Sequence, residues 1–251
     1  MQHRSLVLKL NILNLELLPM PVKARRRWRS RLEGKVGRLV YLLLAQGVPM
    51  PAAGTAGTAS TQARPPAREL LLEAAARLFY ANGVAATGID AITTEAGVAR
   101  KSLYNNFSSK ADLVAAYLEA RHEEWLGLYR KRLETAGTAR EQVLAVFDAY
   151  LDHANFAYQH GFRGCGLLNA AAELPAGDPG RAAVRRHKEE VQELLARHVS
   201  GMLPGRPEQA PAIAAHLAFL LEGAMARAGL EGTDVPLQEA RLIAGQLLDA
   251  L

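Results

Sequence analysis

Apolar residues from Ala67 onward recur at the three- and four-residue spacings of a helix, and no run of alternating β-branched residues appears. Gly83, Gly97, Ser108-Ser109, Gly137, Gly161 to Gly166, Pro175 to Gly180, Pro204 to Pro207 and Gly229 to Pro236 break that pattern. Together these observations predict an all-α protein of about nine helices. With 251 residues, of which 49% are apolar, the chain can build substantial cores. One cysteine, Cys165, excludes an internal disulfide framework and a structural zinc site, and fits a reducing cytoplasm. The seven histidines are scattered, so neither metal nor cofactor is expected.

Residues 1–64 differ from the rest. They carry eleven Lys or Arg against Glu16 and Glu33, so the overall charge of +5 becomes −4 over the remainder. The basic balance therefore belongs to the first quarter and says little about nucleic acid. The apolar patches at 5–18 and 39–45 are interrupted or too short to span a bilayer, and no membrane is expected. Pro49 to Pro66 is rich in Pro, Ala, Gly, Ser and Thr and reads as a linker. The run Arg25 to Arg31 could serve as a DNA-backbone arm. The plainer expectation is a disordered leader, with translation starting at Met50, because every organised element follows it.

The first helix, 67–82, puts Leu71, Ala74, Ala75, Leu78 and Phe79 on one stripe and stops at Gly83. Thr87, with Asp90 three residues on, reads as the N-cap of a second helix whose Ile89 and Ile92 face inward. Gly97 permits a tight left-handed turn into a third helix beginning near Ala99. At 100° per residue, Leu103 and Phe107 point one way while Lys101 and Asn105 point the other. Ser102 and Tyr104 lie on the flanks, and Arg100 sits at an edge. Such a face suits the major groove: Lys or Arg donates to guanine, and Asn pairs with adenine. Thr87, Tyr104 and Lys110 suit phosphate oxygens.

Residues 67–114 resemble the DNA-binding domain of the TetR family of repressors. The resemblance rests on Leu78-Phe79, Gly83, Thr87, Ile92, Ala96-Gly97-Val98, Leu103-Tyr104, Phe107 and Ser109-Lys110, in register without a gap. Thr93 stands where the family usually carries Ala, and Ala99 where a Ser commonly caps the third helix. Lys101 stands where a small residue such as Gly is common, so the operator sequence is not transferable from relatives; Ser108, in place of a frequent Pro or Gly, should matter little. The resemblance implies a helix-turn-helix DNA-binding domain at 65–112 and a helical ligand-binding and dimerisation domain at 113–251. It also implies a homodimer that acts on palindromic operator DNA and is released by a small-molecule inducer of unknown identity.

The fourth helix, about 110–135, is then the connector between domains. Trp125, Tyr129, Phe147 and Tyr150, on helices that enclose the family's pocket, are candidate ligand contacts, with Phe162 and Cys165 beside them; His153, Phe156 and Tyr158 could also line it. Ordinary core packing is the competing reading for each. A redox-sensor or nucleophile role for Cys165, near His153 and His160, competes with a small buried cysteine. No orienting acid or oxyanion site accompanies it, so an enzyme is not expected. The last two helices, about 208–228 and 236–250, are apolar on more than one face, which predicts packing against symmetry mates through Leu217, Leu220, Leu221, Met225, Ile243 and Leu247. An alternative of another class is a helical small-molecule-binding protein with a vestigial DNA-binding head.

Overall fold

The computed structural model describes residues 65–156 and 161–251. The expected leader and linker, together with Tyr158 and His160, lie outside these residues. Among the described residues every regular element is helical. The helices are α1 (Ala67–Asn82), α2 (Ile89–Ala96), α3 (Arg100–Asn106), α4 (Lys110–Leu133), α5 (Ala139–Ala154), α6 (Gly166–Glu173), α7 (Pro179–Met202), α8 (Ala210–Glu231) and α9 (Val235–Asp249). A single 3₁₀ turn, Pro207–Gln209, precedes α8.

Local chemistry explains the boundaries. α1 buries Leu71, Ala74, Ala75 and Phe79 and ends where Gly83, at φ 91°, returns its N–H to Phe79 O. α2 ends at Gly97, whose left-handed φ of 62° lets the turn close: Gly97 N donates to Thr94 O and Val98 N to Thr93 O. α4 starts with a reciprocal cap, because Ser109 Oγ accepts from Asp112 N while the Asp112 carboxylate accepts from Ser108 N. α5 carries a full capping box between Thr138 and Glu141. Hydrogen bonds from Thr138 and Gly137 hold the Glu141 carboxyl below its ordinary range.

The α1–α3 head packs around Leu71, Phe79, Ile92, Leu103 and Phe107, and Leu113, Val114 and Tyr117 of α4 continue the same core into the bundle of α4, α5 and α7–α9. Bidentate pairs lock the bundle edge, Arg241 onto Asp148 and Arg140 onto Asp249. Two polar clamps join head and bundle. Arg163 Nη1 donates to the α1 carbonyls of Tyr80 and Ala81, and the Tyr80 hydroxyl accepts from Arg163 N while donating to Gly164 O. The Glu173 carboxylate, at the end of α6, accepts from Val84 N at 3.1 Å and Ala85 N at 2.6 Å.

Gly164 in turn rests on α8: a Cβ at Gly229 would meet Gly164 Cα and N at 2.7 Å. Because the obstacle is backbone, a methyl group there must displace the clamp segment. Gly229→Ala is expected to destabilise the fold by about 1–3 kcal/mol, read as a lower melting temperature by circular dichroism. An unchanged melt would mean that the two backbones separate freely.

Candidate functional site

α3 is seated by its underside. Leu103 is fully buried and Phe107 nearly so, with the Arg68 guanidinium 5.1 Å from the Phe107 ring centroid. The opposite face is open: Lys101, Tyr104 and Asn105 are exposed and Ser102 is half-buried. This is the arrangement expected from the 100° rotation per residue. Arg100 is exposed too, but its guanidinium lies 3.0 Å from Asp90 of α2 and 6.0 Å from the Tyr104 ring centroid. An exposed pair of this kind is weak and yields easily to a phosphate. Lys110, at the start of α4, reaches Ala85 O at 3.4 Å, so its ammonium lies beside the α1–α2 loop. No side chain caps α3 at Ala99. Thr93 fits its slot because its hydroxyl donates to Asp90 O within the helix.

Thr87 is a correction. The N-cap of α2 is Gly88, which makes no side-chain cap. Thr87 is 3% exposed, and its hydroxyl donates to Gly83 O at 2.6 Å and Leu78 O at 3.3 Å. It closes the α1–α2 turn from inside and has no hydroxyl left for a phosphate. The Thr-x-x-Asp spacing that suggested a cap is resolved differently because the Asp90 carboxylate turns outward to Arg100.

In the bundle, the residues expected to line a pocket sit in the core, and none of them borders the cleft described below. Trp125, Tyr129, Phe147, Tyr150, Phe162 and Cys165 are all buried. The Trp125 ring stacks on Tyr129 with centroids 5.6 Å apart, lies 5.3 Å from Tyr150 and meets His187 edge-on at 5.4 Å. The sequence reading missed the charge at the centre: Lys188 Nζ of α7 lies 2.7 Å from Glu222 Oε1 of α8, 3.2 Å from the Tyr150 hydroxyl and 3.7 Å from Cys165 Sγ. Burial raises the Tyr150 and Tyr117 phenols above their ordinary range. Burial, reinforced by Arg121 and Lys188, pushes His153 down to about 4. Burial with Lys188, His122 and His153 pushes His187 down to about 3. These groups are thus neutral near pH 7. A cleft of about 240 Å³ opens between α4, α6 and α7, and His122 and His187 contribute to its lining; their Nδ1 atoms are 3.0 Å apart. Among the described residues, no three His, Cys, Asp or Glu side chains are gathered as a metal site.

The outer face of α8 and α9 corrects a second expectation. Leu217 and Leu221 are fully buried and Met225 is 1% exposed, so they belong to the core of the chain itself. Leu220 and Leu247 are half-buried, and Ile243 is exposed. The apolar surface left open is instead Phe219 (72% exposed), Leu230 (89%) and Leu242 (64%). Along α8 the outward positions Ala212, His216, Phe219, Gly223, Ala226 and Leu230 alternate spacings of four and three. Such spacing keeps these residues on one face of the helix. The segment Pro207–Glu231 is long and apolar enough to cross a membrane by length and composition. Here that composition is divided between the core face and the open seam.

A short helix seated against two others and presenting donors outward, joined to an all-helical bundle, defines a helix-turn-helix protein with a second helical domain. The family model "Bacterial regulatory proteins, tetR family" matches residues 71–117. A TetR-family transcriptional regulator from Streptomyces coelicolor shares the fold at a TM-score of 0.66 and 33% identity, covering 74% of this chain and 95% of that one. The probable transcriptional regulator ArpR of Pseudomonas putida is 40% identical over 86 residues, 32% of this chain and 41% of its own length. The transcriptional activator FasR of Mycolicibacterium smegmatis is 35% identical over 85 residues, 34% of this chain and 39% of its own length. The chain thus spans about two fifths of the length of these two curated relatives. It belongs to the TetR family of transcriptional regulators, and these relatives are regulators, not enzymes.

The buried position of Thr87 yields a test. Thr87→Val should cost about 1 kcal/mol of stability through its lost hydrogen bonds, yet leave DNA affinity unchanged below the melting transition. Loss of a hydroxyl that contacted a phosphate would instead weaken selected and bulk duplexes alike; fluorescence anisotropy on both duplexes, beside a thermal melt, distinguishes the two.

Proposed function

We propose that the protein is a cytoplasmic repressor: a homodimer that binds a palindromic operator and leaves it when a small molecule occupies the bundle. The supporting observation is the exposed Lys101-Tyr104-Asn105 face of α3, anchored by buried Leu103 and Phe107. Lys101 and Asn105 carry the groups that read base edges, while Tyr104, Arg100, Ser102 and Lys110 serve phosphate contact and register. Arg68, exposed beside Phe107, adds a cation that the sequence reading did not include. The open seam of α8, continued by Leu242 and Ile243 of α9, supports an isologous two-fold contact. In such a dimer two α3 helices reach successive major grooves, roughly 34–36 Å apart. Activation, the role named for FasR, uses the same physical steps with a differently placed operator.

Lys101→Ala and Asn105→Ala should each cost about 1–3 kcal/mol of specific affinity and relax base preference, whereas Lys110→Ala should weaken all duplexes alike. Competition between a duplex selected from a random pool and bulk DNA checks this, and unchanged preference in both α3 variants would remove the groove assignment. Phe219→Glu places a charge in the seam. It should give a monomer by sedimentation and lose most operator affinity while keeping its helical signal, whereas a dimer that persisted would place the two-fold contact elsewhere.

A further inference from the structure

The cleft of about 240 Å³ is lined by Glu119 and His122 of α4 and by His187 and Glu190 of α7. On each helix the His and the Glu stand three residues apart and so share one face. The two faces meet: His122 Nδ1 lies 3.0 Å from His187 Nδ1, with the rings nearly perpendicular at 87°. The other ring nitrogen of His122, Nε2, lies 3.5 Å from Glu190 Oε2. A carboxylate at that position selects the tautomer with the proton on Nε2, which leaves the Nδ1 lone pair of His122 facing His187. His187 is 4% exposed and held edge-on against Trp125, whereas His122 is half-buried at the cleft. One ring is thus fixed and the other has room to turn.

Two imidazole nitrogens beside carboxylates suit a transition-metal ion such as Zn²⁺, whereas Mg²⁺ and Ca²⁺ take oxygen ligands. Ligand atoms about 2.0–2.1 Å from zinc and set at a tetrahedral angle stand about 3.3–3.4 Å apart. The observed separation of 3.0 Å is close to that span. A small widening and a tilt of the His122 ring toward the cleft bring both lone pairs onto one point, with His187 carrying its proton on Nε2. Glu190 behind His122 is the carboxylate–histidine arrangement that orients a metal-bound imidazole and raises its basicity. Charge agrees: along the lining, Glu119 and Glu190 outnumber Arg186, which favours a cation. Among the described residues no third ligand is already gathered with the two imidazoles, so the chain presents a preformed half-site.

We propose that His122 and His187 bind a transition-metal ion of the zinc type through their Nδ1 atoms, and that the ion pins the connector helix α4 to α7. Glu190 acts as a positioning residue behind His122. The exposed Glu119, one turn away on α4, and water complete the shell. The site owes nothing to an inducer in the core, and its test reads no DNA. Calorimetric titration of the untagged full chain, stripped with a chelator, uses ZnCl₂ and MgCl₂ as probes. Zinc should bind at one ion per chain and raise the melting temperature, while magnesium at the same concentration does neither. Glu190→Ala should weaken zinc by about 10–100-fold. His122→Ala and His187→Ala, which each remove a ligand atom, should weaken it further. Glu190→Gln keeps an acceptor oxygen for His122 Nε2–H and should bind zinc more tightly than Glu190→Ala, a rescue that a role in packing alone does not predict. His122→Ala, on a half-buried side chain, keeps the test valid if His187→Ala unfolds. Absence of zinc binding, equal binding of magnesium, or undiminished zinc affinity in a folded His122→Ala, His187→Ala or Glu190→Ala variant overturns the proposal.

Discussion

A helix of seven residues with no side-chain cap at its N-terminus cannot hold itself in water, since nucleation costs more than so few hydrogen bonds return. α3 exists because Leu103 and Phe107 are pressed into the core made by Leu71, Phe79 and Ile92. Each such side chain contributes roughly 1.5–3 kcal/mol on burial, far more than the tenths that separate helix propensities. The same insertion fixes the rotation of the helix about its axis. Lys101 and Asn105 face outward because Leu103 and Phe107 face inward, so stability and the geometry of DNA reading share one cause.

That head is not an independent body on a string. Arg163 holds the last carbonyls of α1, Glu173 holds the first N–H groups of the following loop, and Gly164 is wedged against Gly229 of α8. One residue further, Cys165 packs against Lys188 at the centre of the bundle. A single short segment therefore touches the head, the outer helix and the polar interior. Hydrogen bonds to charged groups contribute about 1.5–3 kcal/mol, and coupling between an effector and DNA is typically 1–3 kcal/mol. In the proposed mechanism, the making or breaking of one clamp bond is thus large enough to shift the equilibrium. Cys165 is explained by this packing, as a small buried side chain in a crowded turn.

Two misreadings show why some features were hidden. Thr87 and Asp90 have cap-like spacing, but the positive φ of Gly83 turns its carbonyl within 2.6 Å of the Thr87 hydroxyl, and Asp90 finds Arg100 ten residues away. Local pattern cannot rank a cap against a partner that arrives only on folding. α8 is apolar nearly all round, so its sequence carries no phase. Leu217, Leu221 and Met225 are the obvious candidates for a partner surface, but α7 and α9 take them, leaving Phe219 and Leu230 outside.

The amino-acid sequence by itself determined the helices, their stops at Gly83 and Gly97, and the outward chemistry of α3, because glycine conformation and the 100° helical step act over a few neighbouring residues. Tertiary structure decided which face of α8 lies open, where the Thr87 hydroxyl goes, and that Lys188, Tyr150, Cys165 and Glu222 meet. Residues 150 and 188 are 38 positions apart and 165 and 188 are 23 apart. Only the packing of whole helices sets the distance between such groups, and with it the charges at the centre of the bundle.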